Sequence, residues 1–154
     1  MACRLFFALI LIMGCLTSVA IAQKLSFSEL KTMKDSEFES VNDELITNGW
    51  SKWKTAEDTT YYGHGLRDSR SNYWLTIIKE GDGIGQLYYH FNRALYFKLK
   101  NEVEDSDAMP YKSEDHKQGI ESIYIFDKLS ISFWVPQNTK ELFYIHLSYI
   151  KEHK

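Results

Sequence analysis

Cysteine is nearly absent: the 154-residue chain has two, Cys3 and Cys15, both close to the N-terminus. If the leader containing them is removed, the remaining chain has no thiol nucleophile, no thiolate metal site and no disulfide, although an oxidising compartment would permit one. Stability must then come from packing alone. Basic excess is also missing. The chain has 18 Lys and Arg against 21 Asp and Glu, a net charge of −3, and loss of Arg4 with the leader takes this to −4. Without a basic stripe, nucleic acid is excluded as an expected partner. After residue 22 there is no further long apolar run, so no membrane span is expected in the processed chain.

Several signatures of enzymes are missing as well. There is no GxSxG and no HExxH. The glycine stretch Glu80-Gly81-Asp82-Gly83-Ile84-Gly85-Gln86 has GxGxG spacing, not the GxGxxG of a dinucleotide loop. A phosphate-cradling loop also needs a helix after it, whereas the residues after Gly85 read as a strand. A hairpin is expected here, with Asp82-Gly83 as the turn pair. The acidic patch from Glu102 to Asp107 lacks the glycine and closing glutamate of an EF-hand loop and reads as a solvated helix end and loop. No cofactor fingerprint is found, and no cofactor is expected.

The N-terminus does carry a signal. Arg4, an uncharged run from Leu5 to Ala22, and small residues at Ala20 and Ala22 describe a secretory signal peptide cut between Ala22 and Gln23. A retained anchor is the alternative, and Ile12-Met13-Gly14-Cys15 also resembles a lipobox, which would make Cys15 a lipidation site. Processing at Ala22 leaves 132 of the 154 residues, a normal length for one domain spanning residues 23–154. The expected location is secreted or periplasmic.

In the remaining chain two periodicities alternate. Ser26-Phe27-Ser28-Glu29 has capping-box spacing ahead of Leu30 and Met33, and Asp35-Ser36 marks a second start followed by Phe38, Val41 and Leu45 and a stop at Asn48-Gly49. Strands follow. Tyr73, Leu75 and Ile77 alternate with Trp74, Thr76 and Ile78; Leu87, Tyr89 and Phe91 alternate with Gln86, Tyr88 and His90. Asn92 can cap a helix with Leu95, Leu99 and Val103 inward, although Leu95, Phe97 and Leu99 also alternate as in a strand. Beyond Pro110, Ile123–Phe126 and Leu129–Val135 read as a hairpin around Asp127-Lys128. Pro136-Gln137-Asn138-Thr139 ends it, and a long strand runs from Leu142 to Ile150. A shift of 56 residues lays Leu87–Phe91 over Phe143–Leu147, which suggests two αβββ units with halves 23–91 and 92–154. The fold class is α+β, a mainly antiparallel sheet with N-terminal and central helices on one face.

A helical start ending in Gly49, then the aromatic strand Trp50-Ser51-Lys52-Trp53, then a meander, resembles small bacterial envelope proteins of the BamE and β-lactamase-inhibitor type. That resemblance implies a non-enzymatic protein that uses a curved sheet to hold a partner. The chain departs from the inhibitor pattern in having no disulfides.

The histidines are His64, His90, His116, His146 and His153. His64 falls in Tyr62-Gly63-His64-Gly65, read as a loop, and His116 and His153 read as surface residues. None has tight ligand spacing, so a metal site would have to be assembled across strands, and none is expected. His90 and His146 each lie on the less apolar side of a strand, with Tyr88 or Tyr144 two residues before. If the strands share a sheet, Gln86, Tyr88, His90, Ser130, Ser132, Trp134, Tyr144, His146 and Ser148 form one semi-polar face suited to recognition. The bland alternative is a second, partly covered face. Glu121 is one of many acids, and the four tryptophans are expected mostly in the core. The leading expectation is an exported, non-catalytic protein that uses Tyr88, His90, Trp134, Tyr144, His146 and Ser148 to bind a protein, peptide or small ligand. The competing readings are a small hydrolase or glycan-active enzyme centred on His90 and His146, and an envelope structural protein anchored through Cys15.

Overall fold

The computed structural model describes residues 24–67, 70–138 and 140–151. The leader, its cleavage site at Ala22 and Gln23, Cys15 and His153 lie outside the described residues. Among the described residues two helices come first, α1 (Phe27–Lys34) and α2 (Phe38–Thr47), followed by a meander of β1 (Trp50–Ala56), β2 (Thr59–His64), β3 (Trp74–Glu80) and β4 (Gly83–Phe91). Then come α3 (Arg93–Glu104) and a second meander of β5 (Met109–His116), β6 (Gly119–Phe126), β7 (Leu129–Pro136) and β8 (Phe143–Tyr149). All eight strands join in one antiparallel sheet in the order β1-β2-β3-β4-β8-β7-β6-β5. This is an α+β fold in which each half is helix followed by meander.

Local chemistry explains the helices. Ser26 accepts from the Glu29 amide while the Glu29 carboxylate accepts from the Ser26 amide, a reciprocal cap on α1. Asn92 caps α3 through the Leu95 amide at 3.3 Å. Leu95, Leu99 and Val103 of α3 are all buried, so the period of 3.6 wins over the alternation that a strand would use. Burying each such side chain stabilises the fold by about 1.5–3 kcal/mol. The second helix differs from its expected start: Asp35 closes α1, and α2 begins after Glu37 without a side-chain cap. Gly49, at φ 82°, ends it as the sequence suggested.

The core lies between the helices and one face of the sheet. Leu75, Ile77, Leu87, Tyr89, Phe91, Ile131, Phe133, Ile145 and Leu147 point to it and are buried, meeting Leu30, Met33, Val41, Leu45, Leu95 and Leu99 from above. Helix α1 rests mainly over β4 and β8, α2 beside β1, and α3 over β8.

Each expected αβββ unit gains a fourth strand. In the first half the addition is β2, which takes in His64 as its last residue, so the loop expected at Tyr62–Gly65 is only partly one. In the second half it is β5, formed from the polar segment after the acidic patch. The glycine stretch is a hairpin, but its left-handed residue is Gly81 at φ 64°, one step ahead of the expected Asp82-Gly83 pair. Gly85 sits where the β3–β4 register shifts, and a Cβ there would come within 2.8 Å of Cβ of Glu80. Gly85 therefore serves a bulge, and Gly83 pairs with Glu80 at the hairpin end. Among the described residues no helix is long and apolar enough to cross a membrane.

Candidate functional site

The helices cover one face of the sheet, and the opposite face carries the second set of alternating side chains. Register fixes who stands beside whom. One row runs Trp74, His90, Tyr144, Trp134, Glu121, Glu114 across β3, β4, β8, β7, β6 and β5. The next row runs Thr76, Tyr88, His146, Ser132, Ile123, Lys112, and a third runs Ile78, Gln86, Ser148, Ser130, Ile125, Met109. All six residues expected in a binding surface, Tyr88, His90, Trp134, Tyr144, His146 and Ser148, therefore share this face and are partly exposed.

The rings form two groups that meet where Trp74 pairs with His90 in register. Trp134 and Tyr144 stack with centroids 6.1 Å apart and planes 12° from parallel. His90 leans on Tyr144 at 5.4 Å, and Tyr88 stacks flat on His146 at 4.2 Å. At the β1–β2–β3 end Trp53 meets Trp74 edge-on at 5.4 Å and Tyr61 at 6.2 Å. At the other end His116 lies 5.6 Å from Trp134. The tryptophans thus do not follow the expectation that they lie mostly in the core. Trp50 is buried, but Trp53 is 49 % exposed, and Trp74 and Trp134 sit on the open face. Period-two geometry overrides hydrophobicity here, because a side chain one position out of phase with the core has nowhere else to go.

Burial sets the protonation of the ladder. Desolvation holds His90 below the ordinary imidazole value; His146 is lowered by the same cause, partly countered by the Glu121 carboxylate and reinforced by Lys34. Both rings are neutral at pH 7. Burial, with the Glu121 charge adding to it, raises the phenols of Tyr88 and Tyr144, so they remain hydrogen-bond donors. Tyr88 donates to Gln86 Oε1 at 2.7 Å. His146 Nε2 is buried without a hydrogen-bond partner among the described residues.

The arrangement does not resemble a hydrolytic triad. Ser132, only 5 % exposed, donates its hydroxyl to Glu121 Oε1 at 2.7 Å, not to a histidine. Neither Ser132 nor Ser148 is hydrogen-bonded to His90 or His146, so no activated nucleophile is assembled among the described residues. A shallow cleft of about 650 Å³ opens on this face between β3, β4 and the end of β8, lined in part by Gln86, His146, Ser148, Lys79 and Lys151.

Other residues of the face went unrecognised in the sequence. Trp53, Tyr61 and Trp74 extend the ladder, and Glu114, His116 and Glu121 gather at its far end with ligating atoms within 4.8 Å of one another. Glu121 follows the same alternation as Ile123 and could have been placed by it, whereas β5 carries no alternation to read. The chain matches no protein-family model, no curated protein and no solved structure.

Proposed function

We propose that the protein is an exported, non-catalytic binding protein that holds a protein or peptide partner against the open face of its sheet. The observation that carries this reading is the band of rings between Trp53 and His116, which lies partly exposed on the face that no described helix covers. Aromatic side chains left partly exposed together mark interaction sites on folded proteins. Tyr and Trp favour recognition because they offer large contact area, few rotatable bonds and a polar tip. Eight strands at about 4.8 Å spacing give a platform roughly 34 Å wide. That suits an extended macromolecular contact better than an enclosed small-molecule pocket, and the cleft beside His146 and Ser148 accommodates one projecting group of the partner.

The leader read in the sequence places the encounter outside the cytoplasm, and the resemblance to small envelope proteins implies the same use of a sheet. A capture experiment tests the proposal, with extract of the producing cell's envelope passed over the immobilised protein. The wild type and a helix-side variant, Phe97→Ala, should retain the same partner, and a Trp134→Ala/Tyr144→Ala variant should lose it while remaining folded by circular dichroism. Equal retention by all three proteins would refute a role for the open face.

A further inference from the structure

We propose that Glu114, His116 and Glu121 bind one divalent transition-metal ion of the zinc class. Glu114 and Glu121 are direct register partners on β5 and β6, and His116 pairs with Gly119 one hairpin step away. The two carboxylates are oriented alike. Glu114 Oε1 is held by Lys112 Nζ, and Glu121 Oε1 accepts the Ser132 hydroxyl at 2.7 Å. Each carboxylate is thereby left with its Oε2 facing the same atom, His116 Nε2, at 4.0 Å for Glu114 and 3.8 Å for Glu121. Tying one oxygen of each carboxylate and presenting the other to a shared centre is how outer partners orient metal ligands.

Charge points the same way. Like charges directly opposite in an antiparallel pair are destabilising, and the single charge of Lys112, paired directly with Glu114, faces two carboxylates. A dication between the carboxylates would offset the remainder. Metal–ligand bonds of about 2.0–2.2 Å place ligand atoms roughly 3.3 Å apart, so the separations from His116 must close by roughly 0.5–0.7 Å, and that between the two carboxylates, within 4.8 Å, by at most about 1.5 Å. These partly exposed side chains can do this by small rotations.

The donor set selects the class of ion. One imidazole nitrogen with two carboxylate oxygens suits zinc and its first-row neighbours, whereas calcium needs six to eight oxygens and three side chains cannot supply them. Three protein ligands leave a fourth position for water or for a donor atom of a bound molecule, beside the Trp134 indole. The site stands independently of what the open face holds.

Calorimetric titration of the chelator-treated protein with zinc chloride provides the test, with nitrogen-15 spectra of the histidine side chains recorded in parallel. The expected result is one ion per chain bound at about 10 μM or tighter, with the His116 Nε2 resonance moving on binding. Glu121→Gln and His116→Gln should each weaken binding by about tenfold or more, and His64→Gln should bind as the wild type does. Affinity weaker than about 1 mM, or unchanged affinity in Glu121→Gln, overturns the proposal. So does binding that leaves the His116 resonances in place, a readout on the wild type that remains decisive if either variant fails to fold.

Discussion

Tyr88 and His146 stack across the seam between the two halves, with ring centroids 4.2 Å apart and planes 6° from parallel. Burial, reinforced by Lys34 and opposed by Glu121, favours a neutral His146 imidazole, and His90 on the same face is likewise lowered by desolvation. A histidine whose pKa falls on folding binds fewer protons in the native than in the unfolded chain, between its native value and the ordinary 6.5. Stability is therefore complete above about pH 6.5 and declines as pH falls through the native values. Urea unfolding at a series of pH values should show this loss, and a His90→Gln/His146→Gln variant should show a shallower decline over the same interval. An unchanged slope would mean that neither ring titrates in the way its burial dictates.

The open face should contain binding hot spots at its centre, because Trp134 and Tyr144 pack ring on ring and expose their remaining surface. Once a partner has been isolated, Trp134→Ala should weaken its binding by roughly 2 kcal/mol, about 30-fold. Ile46 and Phe97 are exposed on the helix side, and their replacement by alanine should change affinity by less than about twofold. Surface plasmon resonance of the four proteins distinguishes a localised site from diffuse stickiness.

How much of this surface could be read in the chain depended on where each strand sits. Central strands β3, β4, β7 and β8 are covered by helices on one side, so their alternation is strong, and it placed Tyr88, His90, Trp134, Tyr144, His146 and Ser148 together. Strand β5 is an edge exposed on nearly every residue, and β1 is exposed after Trp50; neither carries an apolar period. That is why Trp53, Glu114 and His116 escaped notice as members of the face. The extra strand in each half escaped for related reasons: β2 carries Gly63 and leads into a loop, and β5 starts beside Pro110. Pairing with a neighbour across the sheet, which no local pattern encodes, made them strands.

Lys34 is the least expected resident of the core, 1 % exposed, with Nζ donating to the Ile84 carbonyl at 2.6 Å and lying 3.4 Å from the Tyr149 ring centroid. Desolvation lowers its pKa, opposed by the nearby Asp35 and Glu80 charges. The side chain ties α1 to β4 and β8 beneath the site. Lys34→Ala removes the hydrogen bond, the stacking and the packing of the stem, and should cost about 2–4 kcal/mol. Lys34→Met keeps most of the stem and should cost distinctly less. Chemical denaturation resolves the two, and equal losses would assign the whole effect to the lost polar contacts.

Gly119 connects the fold to the far end of the ladder. A Cβ at this position would collide with the Val135 carbonyl oxygen and come within 2.9 Å of Trp134 Cζ2, so a side chain would displace both the β7 backbone and the indole. At Gly81, by contrast, nothing lies within 4 Å and only its φ of 64° opposes substitution. Gly81→Ala should therefore cost about 1–2 kcal/mol and leave tryptophan fluorescence unchanged, because its strain stays within the turn. Gly119→Ala should cost about 1–3 kcal/mol and also shift tryptophan emission, because overpacking here moves Trp134 relative to His116 and Tyr144. Comparing emission at matched folded fractions separates loss of stability from loss of geometry. A Gly119→Ala protein with native emission would show that the β6–β7 pairing yields without disturbing the ladder, and that the indole is held from the Tyr144 side alone.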